Sequence, residues 1–227
     1  MGTAVITGAN RGIGFELCRQ LATRGETTVA VCRHSSPELD ALAAQDPSRV
    51  RIETTVDVTD VDSVAALGDR LRGQPLDLLV HNAGILTAGD ALGEIDFDQA
   101  RRQFDVNALG PLRLTEALLE NLTKGSKLVI ITSRMGSIAD NTSGGRYGYR
   151  MSKAAVNIAG MSLTQDLRPR GVAVAILHPG FVRTGMTGGR GDVAADEAAR
   201  GLIARIDELS LETSGGFWHA NGERLPW

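Results

Sequence analysis

Both tyrosines of this 227-residue chain, Tyr147 and Tyr149, stand in RYGYRMSK, residues 146–153. Tyr149 and Lys153 are four apart, which on a helix is about 400° and places both on one face. Tyr147 falls roughly 120° away from the Lys153 face. A phenol with its ordinary pKa of about 10 is a poor base at neutral pH. An ammonium beside it stabilises the phenolate and is expected to lower that pKa. The phenol then serves as general acid toward a developing alkoxide, or as base toward an alcohol. Ser133, in ITSRMGS, is placed to donate a hydrogen bond to the same oxygen. Ser137 is the alternative, and Ser133 is preferred because it directly follows an apolar run. Asn107, in FDVNALGP, is a candidate to carry a water chain to Lys153.

These groups move a proton, and a redox reaction at a carbon–oxygen bond also needs a hydride carrier. The stretch TGANRGIG, residues 7–14, places Gly8, Gly12 and Gly14 between an apolar run and a helical pattern. Glycines there let backbone N–H groups approach a pyrophosphate, with the helix aiming its positive end at the anion. The spacing is G-x-x-x-G-x-G rather than G-x-G-x-x-G, so its position in the first βα unit carries the reading. A dinucleotide site takes its cofactor preference about 20 residues further on, where an acid holds the ribose of NAD. Here Arg33 occupies that place, and no acid follows until Glu38. A guanidinium pairs with a 2′-phosphate that a carboxylate would repel, which points to NADP(H). Arg11, inside the glycine turn, is a second cation within reach. After the next runs, Asp57 is placed to accept from an adenine amino group, with Val58 against the ring, and Asp60 is placed to cap a helix. The small residues of HNAG, 81–84, let the chain pass close to a ribose, and His81 reads as a core histidine.

Positioning these groups requires a particular order of elements. Short β-rich apolar runs at 3–7, 27–31, 50–55, 76–80, 128–132 and 172–177 alternate with helical patterns near 12–24, 37–45, 60–72, 97–123 and 149–168. A helix over 196–209 and a short strand near 216–219 follow. Strongly apolar strands alternating with helices predict a single α/β domain over 1–227. Its fold is a Rossmann-type doubly wound parallel sheet of about seven strands, flanked by helices on both faces, with ligands at the carboxyl ends of the strands. The glycine-rich stretch 185–191 is a candidate lid. Helices 97–123 and 149–168 are apolar on more than one face, which predicts a homodimer or homotetramer.

Composition narrows the partners. A net charge of −3 gives no footprint for nucleic acid or an anionic membrane. No apolar run reaches a membrane span, and no signal peptide is visible. Cys18 and Cys32 are too few for a disulfide framework, which predicts reduced thiols in the cytoplasm. No metal-ligand spacing is present, so no metal is expected.

Taken together, TGANRGIG, HNAG, VNALGP (106–111), ITSRMGS, YGYRMSK and HPGFVRT (178–184) resemble the short-chain dehydrogenase/reductase family over essentially the whole chain. The 132–153 stretch and the ending GGFWHANGERLPW look most like bacterial C-factor proteins and sniffer-type carbonyl reductases. The resemblance implies a catalytic tetrad of Asn107, Ser133, Tyr149 and Lys153. It implies cofactor contacts from the turn (Gly8, Asn10, Arg11, Gly12, Ile13 and Gly14), from Arg33, from Asp57 and Val58 at adenine, and from Asn82, Ala83 and Gly84 at the adjoining ribose. Tyr149 and Lys153 would reach the nicotinamide ribose, while Pro179, Gly180, Val182 and Thr184 border the nicotinamide. Two departures stand out. His81 replaces the usual first Asn of NNAG, and Ser133 precedes Tyr149 by 16 residues, longer than usual, so the loop 138–146 is expected to bulge beside the site. The expected activity is NADPH-dependent reduction of neutral, hydrophobic ketones or aldehydes. A C-factor-like nucleotide-binding signalling protein and an NAD-dependent alcohol dehydrogenase are the alternatives.

Overall fold

The computed structural model describes residues 2–88 and 91–227. Seven strands form one parallel sheet: β1 Thr3–Thr7, β2 Thr27–Val31, β3 Val50–Glu53, β4 Leu76–His81, β5 Leu122–Ile131, β6 Ala173–His178 and β7 Phe217–His219. Their spatial order is β3-β2-β1-β4-β5-β6-β7. The order reverses between β1 and β4, and a crevice opens there above the strand ends. Among the described residues, seven α-helices cover the sheet: α1 Gly12–Thr23, α2 Pro37–Gln45, α3 Val61–Leu71, α4 Phe97–Phe104, α5 Gly110–Ala117, α6 Tyr147–Leu167 and α7 Ala195–Glu208.

Period-two alternation along each strand divides the core between the two faces. Ile6, Val80, Val129 and Leu177 pack with Leu17, Leu21, Leu202 and Ile206 of α1 and α7. Their neighbours Val5, Leu79, Leu128 and Val174 pack on the opposite face with Leu67, Leu114 and Val156 of α3, α5 and α6. Asp60 caps α3, its carboxylate accepting from the Asp62 N–H at 3.0 Å. β3 ends at Glu53 rather than at 55, because Thr55 takes a left-handed φ of 63°. No helix among the described residues is long and apolar enough to cross a membrane.

The expected helix over 97–123 runs from Phe97 to Ala117 with a π-helical turn, Asp105–Leu109, inside it, and stops short of 123. The extra residue of such a turn re-aims side chains out of the regular stack, often at functional sites. Here it holds Asn107 against the loop after β4. From Leu122 the chain is already extended and pairs with Leu76, followed by a register shift before Leu78 meets Lys127. Asn121 anchors this early strand start by donating to the carbonyls of Leu71 and Gln74 at 2.6 and 2.8 Å.

Candidate active site

The glycine turn between β1 and α1 is shaped by two positions. Gly8 has a left-handed φ of 64°. A Cβ on Gly14 would lie 2.3 Å from the Gly8 carbonyl oxygen and 2.5 Å from Asn82 Nδ2, so only glycine fits. Asn82, at the end of β4, clamps the turn from the other side. Its Nδ2 donates to the Thr7 carbonyl at 2.9 Å, and Thr7 Oγ1 accepts from the backbone N–H groups of Asn82 and Ala83, each at 3.0 Å. Asn82 therefore shapes the cradle through the backbone of β1. Thr7 is a site residue that the motif reading passed over, because its hydroxyl faces the neighbouring strand rather than the next residues.

The crevice above this turn has a volume of about 500 Å³. Gly8, Asn10, Arg11, Gly12, Ile13, Arg33, Asp57, Val58, Asn82, Ala83 and Gly84 line it, as do Tyr149, Lys153, Pro179 and Thr184. Gly14, Gly180 and Val182 do not. Gly14 is packed under the turn, Gly180 sits against His219, and the buried Val182 pairs with Val193. Arg102 and His34 line the crevice without having been expected there. They lie outside the recognisable motifs, and only the fold brings them in.

At the far end from β1, Arg33 and Asp57 form a loose ion pair of 3.7 Å with both side chains well exposed. Burial alone would raise the Asp57 carboxyl. Hydrogen bonds from the Thr59 N–H and hydroxyl, with the Arg33 charge, outweigh it and hold that carboxyl below the usual range. Arg11 is exposed at the same mouth. This end is a cationic rim with one carboxylate beside it.

At the other end, α6 buries Gly148, Tyr149, Ser152, Lys153, Val156 and Asn157 along one stripe, so Tyr149 and Lys153 share a face. Tyr147 is only half-buried and lies off it. The Ser133 hydroxyl is hydrogen-bonded to the Tyr149 phenol. Ser137 is also buried, and its Oγ accepts from the Asp140 N–H at 3.1 Å. Lys153 Nζ donates to the Ile131 carbonyl at 3.0 Å and lies 5.8 Å from the centre of the Tyr149 ring. Asn107 is 2 % exposed, and its amide exchanges hydrogen bonds of 2.8 and 2.9 Å with the Ile85 backbone. Asn107 Oδ1 and Lys153 Nζ flank Gly84, at 3.2 and 3.8 Å from where its Cβ would be.

The electrostatics reverse one expectation. Lys153 does not pull the Tyr149 pKa down here. Burial pushes the phenol up to about 12, and the Ser133 hydrogen bond only partly offsets that. Burial also lowers the Lys153 ammonium to about 8. Desolvation disfavours both charged forms. His81 is fully buried with Nε2 2.9 Å from Thr115 Oγ1, and burial lowers its pKa to about 3, so it is a neutral core histidine. Among the described residues no cluster of three His, Cys, Asp or Glu side chains could hold a metal.

Two loops lie on either side of these elements, after β6 and after β5. The glycine-rich stretch after β6 is a folded turn: Thr187 Oγ1 donates to the Val182 and Thr184 carbonyls, and Arg183 N–H donates to the Val193 carbonyl at 2.9 Å. The longer loop after Ser133 begins with a short 3-10 turn, Arg134–Gly136. Arg134 pairs with Asp140 within the loop, and the loop is tied to the carboxyl-terminal segment by the Arg134–Glu223 ion pair and by the Ala139 N–H on the Trp227 carbonyl.

Residues 2–194 match the short chain dehydrogenase family. A 1-hydroxy-2-glutathionyl-2-methyl-3-butene dehydrogenase of Rhodococcus sp. (strain AD45) is 44% identical over 233 residues, covering 100% of both chains. C-signal of Myxococcus xanthus is 46% identical over 155 residues, 67% of this chain and 93% of that protein. Among solved structures, the carbonyl reductase Sniffer of D. melanogaster superposes with a TM-score of 0.93 at 28% identity, covering 100% of each chain. An NADPH-bound carbonyl reductase from chicken fatty liver gives 0.90 at 31%, covering 100% of this chain and 99% of that one. With the parallel sheet, the glycine cradle and the match along most of its length, the chain belongs to the short-chain dehydrogenase/reductase family, oxidoreductases that act on alcohol and carbonyl groups with a nicotinamide cofactor.

Proposed function

We propose that the protein is an NADPH-dependent carbonyl reductase, with Tyr149 as proton donor. The observation that carries the reading is the buried Tyr149 phenol, bonded to Ser133, on one helix face with Lys153 and lining the crevice beside it. A protonated phenol is the form needed to give a proton to the oxygen of a carbonyl as it is reduced. Ser133 polarises and orients that oxygen. Lys153 holds the nicotinamide ribose and brings positive charge toward the phenolate that remains. Asn107 fixes the loop at Ile85 and supports proton return to Lys153.

The cradle at Gly8, Gly12 and Gly14 fits a pyrophosphate, since a side chain on Gly14 would collide with backbone and the α1 N-terminus faces the crevice. A nicotinamide cofactor supplies the hydride when bound there. Arg11 and Arg33 fit a 2′-phosphate. The Arg33–Asp57 pair is exposed and long, worth under about 1 kcal/mol, so Arg33 is readily released to a phosphate. Asp57 and Val58 receive the adenine, and Pro179 and Thr184 border the nicotinamide. Ile85, Met186 and the Met135 turn suit a neutral, apolar carbonyl compound.

The test is NADPH oxidation with a panel of aromatic and aliphatic ketones and aldehydes. Turnover by the wild type, abolished in Tyr149→Phe with NADPH binding retained, is expected. Binding without turnover in the wild type would exclude the reductase and leave the nucleotide-binding signalling role that the likeness to C-signal favours. Arg33→Asp is expected to weaken NADPH use and improve NADH use, and an unchanged preference would exclude the phosphate role.

The full-length Rhodococcus relative favours a second reading, oxidation of an alcohol that bears a glutathionyl thioether. Incubation of such an alcohol with NAD⁺ or NADP⁺ tests it directly. Exposed Phe97, Phe104, Leu109, Met151 and Ile158 on α4 and α6 and the turn between α4 and α5 support a homo-oligomer through these helices. A monomer at all concentrations in sedimentation would refute that.

A further inference from the structure

Tyr149 follows Ser133 by 16 positions, enough chain for the two to drift apart. Arg150, next to Tyr149, lies across that loop. Its Nη2 donates to Ser143 Oγ at 2.8 Å, its Nε to the Gly145 and Gly144 carbonyls at 3.1 and 3.3 Å, and its Nη1 to the Met135 carbonyl at 3.4 Å. The Met135 N–H in turn donates to Ser133 Oγ at 3.1 Å, and the Ser133 hydroxyl is bonded to Tyr149. These contacts close a ring from Tyr149 through Ser133, Met135 and Arg150, which returns to Tyr149 across one peptide bond. The backbone is shaped to meet the guanidinium. Gly144, Gly145 and Arg146 take successive left-handed φ values of 63°, 60° and 53°, and both glycine carbonyls accept from one nitrogen. Arg146 adopts that conformation despite its side chain, which is uncommon outside glycine.

We infer that Arg150 is a positioning residue for the reaction. It latches the loop 138–146 to the turn after Ser133, and so fixes the direction of the Ser133 hydroxyl and the substrate wall at Met135. The inference rests on the reductase reading above. Arg150 does not line the cofactor crevice. The latch needs a planar fork reaching acceptors on two segments, which a lysine ammonium, a single point charge, does not reproduce.

The experiment compares wild type, Arg150→Met, Arg150→Lys and Ser143→Ala by steady-state kinetics with a ketone, NADPH titration and amide hydrogen exchange. In Arg150→Met, kcat is expected to fall about tenfold or more, since small misplacement of reacting groups is amplified in rate. NADPH affinity stays within about twofold, because the change lies outside the crevice, and amides of 138–146 exchange faster. Arg150→Lys restores little of the rate, and Ser143→Ala loosens the loop in the same direction but less. Kinetic constants for the ketone that stay within about twofold in Arg150→Met would overturn the positioning role, and unchanged exchange would overturn the latch itself. If Arg150→Met does not fold, Arg150→Lys and Ser143→Ala decide by the same two readouts. A wild type without turnover defeats the reductase reading instead, and the exchange comparison still decides the latch.

Discussion

Replacing Lys153 by methionine should make the cofactor-free protein more stable in a way that vanishes with rising pH. Burial lowers the Lys153 ammonium from 10.5 to about 8. Each factor of ten in proton affinity is about 1.4 kcal/mol, so keeping this charge inside destabilises the fold by roughly 3 kcal/mol at neutral pH. Methionine keeps the apolar stem and removes the charge. It also leaves the Ile131 carbonyl without its donor, a loss of about 1–3 kcal/mol. The net gain near pH 7 is therefore at most about 2 kcal/mol, and the pH dependence is the sharper signal. Between about 8 and 10.5 the unfolded chain binds the Lys153 proton and the folded one does not. Wild-type stability consequently rises through that window, relative to the variant, by about 1.4 kcal/mol per pH unit. Below 8 both states hold the proton and the difference is constant. Tyr149, pushed up to about 12, acts in both proteins and largely cancels in the comparison. Urea unfolding of cofactor-free wild type and Lys153→Met at pH 7, 8, 9 and 10 measures the gap. A gap that does not change between pH 8 and 10 would refute a buried, depressed ammonium. It would also undercut the claim that this site holds a charge at the expense of stability.

Other outcomes follow from the same geometry. Ser133→Ala should lower kcat about 100-fold by removing the donor to the reacting oxygen, while Ser137→Ala stays near wild type in a ketone-reduction assay. Gly14→Ala forces a Cβ against the Gly8 carbonyl and Asn82, and should lose about 1–3 kcal/mol by thermal or urea unfolding together with NADPH binding. His81 and His178 are both lowered to about 3, chiefly by burial, so the fold binds fewer protons than the unfolded chain between about 3 and 6.5. Stability should fall as pH drops through that window, and His81→Asn should flatten the fall by about 1.4 kcal/mol per unit in urea titrations at pH 6.5, 5.5 and 4.5.

Most of the fold was legible because buried parallel strands are written as short apolar runs. β1 and β2 coincide with TAVIT and TTVAV. The 97–123 stretch reads as a helix and is one as far as Ala117, but its apolar spacing hides the π-helical turn at Asp105–Leu109, where Asn107 meets Ile85. The Tyr149–Lys153 pairing was visible in the spacing, since a shared helical face needs only a count of four. The direction of the Tyr149 shift was not. Spacing reveals that two groups are near, while desolvation depends on everything else packed around them. Thr7 and Arg150 were equally silent, because their partners lie 75 residues away in one case and across an irregular loop in the other.

The Asn82 clamp has a consequence for how the protein comes into being. Its hydrogen bonds to Thr7 and Gly8 join positions about 75 residues apart, with β2 and β3 and their helices in between. Such a contact carries a large loop-closure entropy and forms late, after local helices and turns. The first βα unit can make its glycine turn early, yet that turn lacks its far wall until β4 has docked beside β1. A chain emerging from a ribosome therefore passes through a stage in which its most recognisable motif is complete and not yet able to grip a nucleotide. Cofactor added to a refolding protein should accordingly stabilise the product without speeding the steps that precede β4 docking.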